Sequence, residues 1–134
     1  MNIRLKTSFE METLLVQLQT NLQFSTKAAV MRLAIGFSLQ KKGDPRIVGD
    51  SEYKYDIKNQ SGQDYLRLTI LGNDDMLYKL IMEEHLGHSI SDDDFFPSLV
   101  YSHIDRGIKI LDSEYKYAKN KDDFFKVILK MKEI

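Results

Sequence analysis

Residues 25–40 read STKAAVMRLAIGFSLQ and predict a helix that is apolar on nearly every side. Arg32 is the only charged residue between Lys27 and Lys41, and Ser25 or Thr26 can supply the N-cap oxygen. A helix with so little polar surface must be buried on most sides. We therefore expect it to pack against its own chain and against a second copy of the protein.

The residues before this helix predict a short strand and an amphipathic helix. Apolar and polar residues alternate over residues 2–7, which is the period of a strand with one buried face. A helix from about Ser8 to Gln23 follows, with capping-box spacing between Thr7 and Glu10. Its apolar residues have helical spacing: Met11, Leu14, Leu15, Leu18 and Leu22. Strand, helix, short turn and helix is the order of a ribbon-helix-helix unit, in which two copies pair their strands and interlock their second helices.

The chain after Gln40 predicts a loop and then more helices. KKGDPR breaks the helix, and residues 43–62 predict a loop or insertion, with one weak hairpin as an alternative. Residues 65–71 predict a short strand or extended segment. Asn73 predicts the start of a helix that ends near Gly87, and its inner face is predicted to be Leu77, Leu80 and Ile81. Two further helices are predicted, one after Ser91 and one from about Lys121.

The predicted fold class is therefore mainly α, in one domain over residues 1–134. Residues 1–42 form the ribbon-helix-helix-like half, residues 73–132 form the helical part, and one or two short strands are expected at most. The sequence has no cysteine, no apolar segment long enough to span a membrane and no apolar stretch of a signal peptide near its start. We expect a cytoplasmic protein without membrane contact.

Positive charge is concentrated in the first third of the chain. Residues 1–46 hold seven basic residues against three acidic ones, whereas the whole chain has a net charge of −1. Clustered cations suit a nucleic-acid backbone, although each one alone is better explained as a solvated side chain. The candidate DNA-binding residues are Arg4, Lys6, Lys27, Arg32, Lys41, Lys42 and Arg46. The chain from Tyr115 onward is basic again, and there we expect solvated helix faces.

The sequence does not support a nucleotide-binding, catalytic or metal-binding site. The sequence contains neither of the glycine-rich phosphate-binding motifs GxxxxGK(S/T) and GxGxxG. The segment GHSIS at residues 87–91 lacks the second glycine of the nucleophile elbow found in serine hydrolases. His85 and His88 lie near three aspartates, but Gly87 should end the helix between them, so no metal site is predicted. His103, on an apolar stripe, is expected to be a hydrogen-bonded core residue. We predict no catalytic residue and no cofactor.

Four segments resemble the DndE family of bacterial DNA sulfur modification proteins. They are RLKTSFEMETLLVQLQ at 4–19, STKAAVMRLAIGFSLQ at 25–40, GQDYLRLTILGNDD at 62–75 and HIDRGIKIL at 103–111. The resemblance implies a small helical protein that assembles as a homo-oligomer, a dimer or a tetramer. It also implies that the protein acts together with the other Dnd proteins, which replace a non-bridging phosphate oxygen of DNA by sulfur. Finally, it implies binding to double-stranded DNA, including nicked duplex.

Three functions are compatible with these observations. The first is a non-catalytic DNA-binding subunit of the sulfur modification machinery. The second is an assembly protein that docks onto the larger Dnd complex without touching DNA, and the third is a ribbon-helix-helix transcriptional regulator. Sulfur transfer through a persulfide needs a cysteine, and the chain has none.

Overall fold

A computed structural model describes residues 2–118 and 120–132, without the side chains of residues 127 and 130–132. The helices are α1 (Phe9–Leu22), α2 (Lys27–Leu39), α3 (Arg67–Leu71), α4 (Asp75–Leu86), α5 (Val100–Ala118) and α6 (Lys121–Lys132). Short 3₁₀ turns at Ile57–Asn59 and Gly72–Asp74, and a π-type segment at Asp94–Leu99, lie between them. The prediction of a mainly α chain whose first strand precedes the helices is confirmed. The predicted basic tail falls partly on Lys119 and on the side chains of Lys130 and Lys132, which lie outside this description.

Within the described residues, four short strands form two antiparallel pairs, whereas the sequence predicted one or two strands at most. β2 (Ile47–Val48) and β3 (Ser51–Glu52) make the weak hairpin that was the alternative for the loop. β1 (Arg4–Lys6) pairs with β4 (Asp64–Leu66) of the same chain. The outer edge of β1 is occupied too, because the Tyr55 hydroxyl accepts from the Lys6 amide at 2.8 Å and donates to the Lys6 carbonyl at 3.0 Å. β1 is therefore engaged on both edges within one chain.

Local side-chain oxygens begin the first two helices. Thr26 caps α2, as predicted, because its hydroxyl accepts from the Ala29 amide at 3.1 Å. α1 is capped by Ser8, whose hydroxyl accepts from the Met11 amide at 3.0 Å, so the predicted capping box at Thr7 is wrong. Thr7 is instead buried, where its hydroxyl accepts from the Gln63 amide beside β4. The cap lies one residue later than predicted because the amide and hydroxyl of Thr7 hydrogen-bond to the backbone of Gln63, next to β4.

The core lies where α2 is packed between α1 and α5. α2 buries Ala28, Val30, Met31, Ala34, Ile35, Phe37 and Ser38. The closest approach is at Gly107 of α5, where an added Cβ would lie 1.7 Å from the Ala34 carbonyl oxygen. α2 is thus covered largely by its own chain, and Gly36 is the exposed residue in its middle. A second copy is not needed to bury this helix.

The predicted inner face of α4 is wrong. Leu77, Leu80 and Ile81 are exposed by 54%, 57% and 41%, while Met82 is fully buried. Tyr78 and Leu86, which lie four residues on either side of Met82, pack against the core with it. α4 carries two apolar stripes with helical spacing, and the core takes the one centred on Met82. The other stripe is left on the surface.

Candidate nucleic-acid interface

Four of the seven predicted cations lie on the side of the protein that carries β1, β4 and α3, and all of them except Lys6 have a partner among the described residues. Arg4 pairs with Asp64 at 2.6 Å. Lys27 donates to Glu12 at 3.2 Å and to the Gln63 side chain at 2.7 Å. Arg32 donates to the carbonyl oxygens of Thr69 and Ile70 at 3.3 and 3.1 Å. A carboxylate near a cation weakens its attraction for phosphate, so Arg4 and Lys27 are poor candidates for binding a polyanion.

Arg46 is buried in a second ion-pair system. Its guanidinium donates twice to Asp44, at 3.0 and 2.8 Å, and once to Asp94 at 2.8 Å. The hydrogen bonds that Arg46 donates to Asp44 raise the pKa of Arg46. Burial by itself would raise the pKa of Asp44, but the bonds from Arg46 outweigh burial and lower it. Arg46 is only 8% exposed, so its charge is used to tie the loop after α2 to the segment that contains Asp94.

Lys41 and Lys42 are placed differently, since both are exposed. Within residues 2–118 and 120–132, neither side chain makes an ion pair or hydrogen bond. Lys6, partly buried on β1, is likewise unpaired in that part of the chain. Lys41 and Lys42 line an open cleft of about 880 Å³ between the loop after α2 and one side of α5. Among the predicted residues, these two lysines are the ones that are exposed and also have no side-chain partner in the described part of the chain.

The backbone that carries the two lysines is held by Arg106 of α5. Arg106 donates from Nε to the Ser38 hydroxyl at 2.9 Å and from Nη2 to the Ser38 and Lys41 carbonyls at 2.7 and 3.1 Å. Nη1 donates to the Gly43 carbonyl at 2.9 Å. Burial lowers the pKa of Arg106. These bonds give a second partner to the Ser38 carbonyl, which also accepts from the Lys41 amide, and they hold the Lys41 and Gly43 carbonyls that follow α2.

Two histidines complete the polar layer beneath the loop. His103 is fully buried and its Nδ1 lies 2.8 Å from the Ser38 hydroxyl, which confirms the predicted hydrogen-bonded core histidine. Burial, followed by the positive charge of Arg106, lowers the pKa of His103 to about 3, so the ring is neutral at pH 7. His85 packs edge-on against it with ring centroids 5.3 Å apart. Its Nε2 lies 2.7 Å from the Lys41 carbonyl oxygen, which makes it a donor to the same loop.

The arrangement offers charge and hydrogen-bond donors, which is what a phosphate backbone needs. Within the described ranges, no three His, Asp or Glu side chains come together in a group able to hold a metal ion. His88 makes a different contact from His85, since its Nδ1 lies 3.0 Å from the Ser89 carbonyl oxygen. In the same part of the chain, no helix is long and apolar enough to cross a membrane.

Two features of this surface were missed by reasoning from the sequence. Arg106 lies outside the basic first third of the chain, and the signal available was its place in the HIDRGIKIL segment, immediately before Gly107. The exposed stripe of α4 was assigned to the core. Because it has the same helical spacing as the buried stripe, the sequence carried no signal that could separate them.

Comparison with known proteins gives the family. The family model described as DNA sulphur modification protein DndE matches residues 4–119. No curated protein matches the chain. Among solved structures, the crystal structure of DndE from Escherichia coli B7A, described as involved in DNA phosphorothioation modification, superimposes with a TM-score of 0.53. It is 19% identical and the alignment covers 83% of this chain and 97% of that one, which supports the fold. Since the family match spans most of its length, this chain belongs to the DndE family of DNA sulphur modification proteins.

Proposed function

We propose that this protein is a non-catalytic DNA-binding subunit of the DNA sulfur modification machinery, and that Lys41 and Lys42 contact the phosphate backbone. The observation that carries the proposal is their exposure, without a partner among the described residues, on a backbone tied down at Lys41 and Gly43. Membership of the DndE family supports DNA as the polyanion. Of the seven predicted cations, Arg46 then acts indirectly, by holding the loop through Asp44 and Asp94.

Contacts of this kind recognise the shape of DNA rather than its bases. Lysine side chains bind phosphate oxygens, which are the same at every step of a duplex. A nick makes the backbone easier to bend, so nicked duplex should adapt to the protein at a lower cost. The chain has no cysteine and therefore no thiol to carry sulfur as a persulfide. We propose that it holds DNA while other Dnd proteins carry out the transfer.

The test compares two double variants of equal charge. Lys41→Gln/Lys42→Gln removes two cations from the loop, and Lys54→Gln/Lys58→Gln removes two exposed cations elsewhere. Each variant and the wild type are titrated with intact and nicked duplexes of unrelated sequence at several salt concentrations. We expect the first variant to bind all duplexes more weakly, and its slope against log salt to be shallower by up to about 0.9 per lost phosphate contact. The second variant should keep the wild-type slope.

Two outcomes would count against the proposal. Equal losses in both double variants would show that overall charge, and not the loop, governs binding. A wild type that does not bind duplex at about 50 mM salt, where phosphate contacts are strong, would remove the DNA-binding function and leave an assembly role.

An assembly role is the second candidate, and the surface stripe of α4 favours it. Met76, Leu77, Leu80 and Ile81 are all exposed, and Met76 by 75%. Apolar residues grouped in this way mark an interaction surface more often than a solvated face. α4 also carries Lys79 on one side of the Leu80–Ile81 centre and Glu84 on the other. Two copies of α4 packed antiparallel would bring the Lys79 end of one stripe towards the Glu84 end of the other, so we propose that the stripe joins two copies of this chain.

The regulator alternative has less support. It requires β1 of two copies to pair with each other, whereas β1 is paired with β4 and its outer edge bonds to Tyr55. Arg4, which would have to reach the DNA bases, pairs with Asp64 on the neighbouring strand.

A further inference from the structure

The end of α2 presents an electrostatic problem for a DNA-binding loop. The last carbonyl groups of a helix have no partner inside it and carry partial negative charge, which repels phosphate. Lys41 and Lys42 follow this end directly. A phosphate that approached the two lysines would also approach those oxygens. The loop therefore needs a group that covers the carbonyls from behind.

Arg106 is placed to do this. Its four hydrogen bonds reach the hydroxyl and carbonyl of Ser38 and the carbonyls of Lys41 and Gly43. We infer that Arg106 is a positioning residue of the DNA interface, which covers the Ser38 carbonyl in the last turn of α2 and the Lys41 and Gly43 carbonyls after it, and so holds the Lys41–Gly43 backbone in one conformation. The inference rests on the proposed function, because it explains how the two lysines are presented to phosphate.

The geometry requires arginine at this position. The bonds leave from Nε, Nη1 and Nη2, so all three nitrogens of the planar guanidinium are used at once. A lysine has one nitrogen at the end of a flexible chain and cannot reach these oxygens together. Arg106 thus contributes through the shape of its donors, in addition to its charge.

The histidine layer below the loop is consistent with the same role. The Ser38 hydroxyl accepts from Nε of Arg106 and lies 2.8 Å from Nδ1 of His103, so it links the guanidinium to the buried ring. His85 donates from Nε2 to the Lys41 carbonyl at 2.7 Å. The Lys41 carbonyl therefore accepts from two side chains, one on α4 and one on α5. Such double support is expected where a loop conformation must be kept.

The experiment uses Arg106→Lys, which keeps the charge and loses the planar fork, with Lys116→Gln as the control. Lys116 is exposed on the same helix and pairs with Asp112, outside the cleft. Amide hydrogen exchange is measured over residues 41–44 in the absence of DNA, and duplex affinity is measured at fixed salt. For Arg106→Lys we expect faster exchange in the loop with little change in the rest of α5. Its affinity should fall about tenfold, because the loop must then be ordered on binding. Lys116→Gln should change neither quantity.

Unchanged exchange in the loop of Arg106→Lys would overturn the inference, whether or not the protein binds DNA. Faster exchange with wild-type affinity would overturn it as well, provided that wild-type binding depends on Lys41 and Lys42. A loosened loop in a protein that binds no duplex would instead overturn the proposed function. If Arg106→Lys does not fold, the Arg106 Nε–H signal of the wild type is followed by NMR during titration with duplex. A shift together with the amides of residues 41–43 supports the inference, and no shift at saturation overturns it.

Discussion

Replacement of Gly107 by alanine should destabilise the protein far more than any other single methyl group added to a helix. Gly107 lies in α5 where this helix crosses α2, and its added Cβ would lie 1.7 Å from the Ala34 carbonyl oxygen. Gly36 of α2 is the matched control, because it is exposed and no atom lies within 4 Å of the Cβ that alanine would add. Both glycines are inside helices, so the gain in helix propensity, about 0.5–1 kcal/mol, is the same for both.

The size of the loss follows from the distance. A carbon atom tolerates a carbonyl oxygen at about 3.3 Å, so α2 and α5 must move apart by about 1.5 Å. A gap of about 1 Å already loses up to about half of the dispersion energy of the atoms that face it. The same shift would stretch the 2.8 Å hydrogen bond between Ser38 and His103 beyond bonding distance. We expect Gly107→Ala to lower the free energy of unfolding by at least about 4 kcal/mol, a large part of the total for a single domain.

Urea unfolding of both variants, followed by circular dichroism, measures these free energies. Gly36→Ala should raise the free energy of unfolding by about 0.5–1 kcal/mol. The reasoning is refuted if Gly107→Ala loses less than about 1 kcal/mol, because the two helices could then not cross so closely. Similar losses in both variants would also refute it, since the exposed control would then be buried by something else.

Two further predictions concern His103 and α4. The pKa of His103 is lowered from 6.5 to about 3 in the folded protein, so its contribution to stability is complete above pH 6.5 and declines as the pH falls below that value. Between pH 8 and pH 5, the wild type should lose about 2 kcal/mol more unfolding free energy than His103→Asn, as measured by urea unfolding; parallel pH profiles would contradict this. Leu80→Glu should shift the mass measured by light scattering towards the monomer, because it would place a charge in the proposed contact between two α4 helices. Val16→Glu, at an apolar position of similar exposure on α1, should not shift it, and an unchanged mass for Leu80→Glu would assign the stripe to another partner.

Features that depend on a few neighbouring residues could be predicted from the sequence. The Thr26 cap acts within three residues, and Gly87 ends α4 with a left-handed φ of 86° that glycine adopts freely. The apolar composition of residues 28–37 required burial wherever the helix was placed. The mainly α class and the burial of His103 follow from the same local patterns.

Features that depend on distant contacts were decided by the tertiary structure. The spacing of α4 allowed two inner faces, and only the shape of the core selected the one with Met82. The partner of β1 could not be predicted from the sequence near β1, because β4 begins only at Asp64, far along the chain. The same holds for the candidate site. Positive charge was visible along the whole first third of the chain, but an Arg or Lys is available to phosphate only if no carboxylate folds against it. Arg46 meets Asp94, 48 residues away, whereas Lys41 and Lys42 meet no such partner in the described residues. Ion pairs between distant residues form only in the packed chain. The sequence therefore predicted which segment is basic, whereas the tertiary structure decided which of its cations are paired.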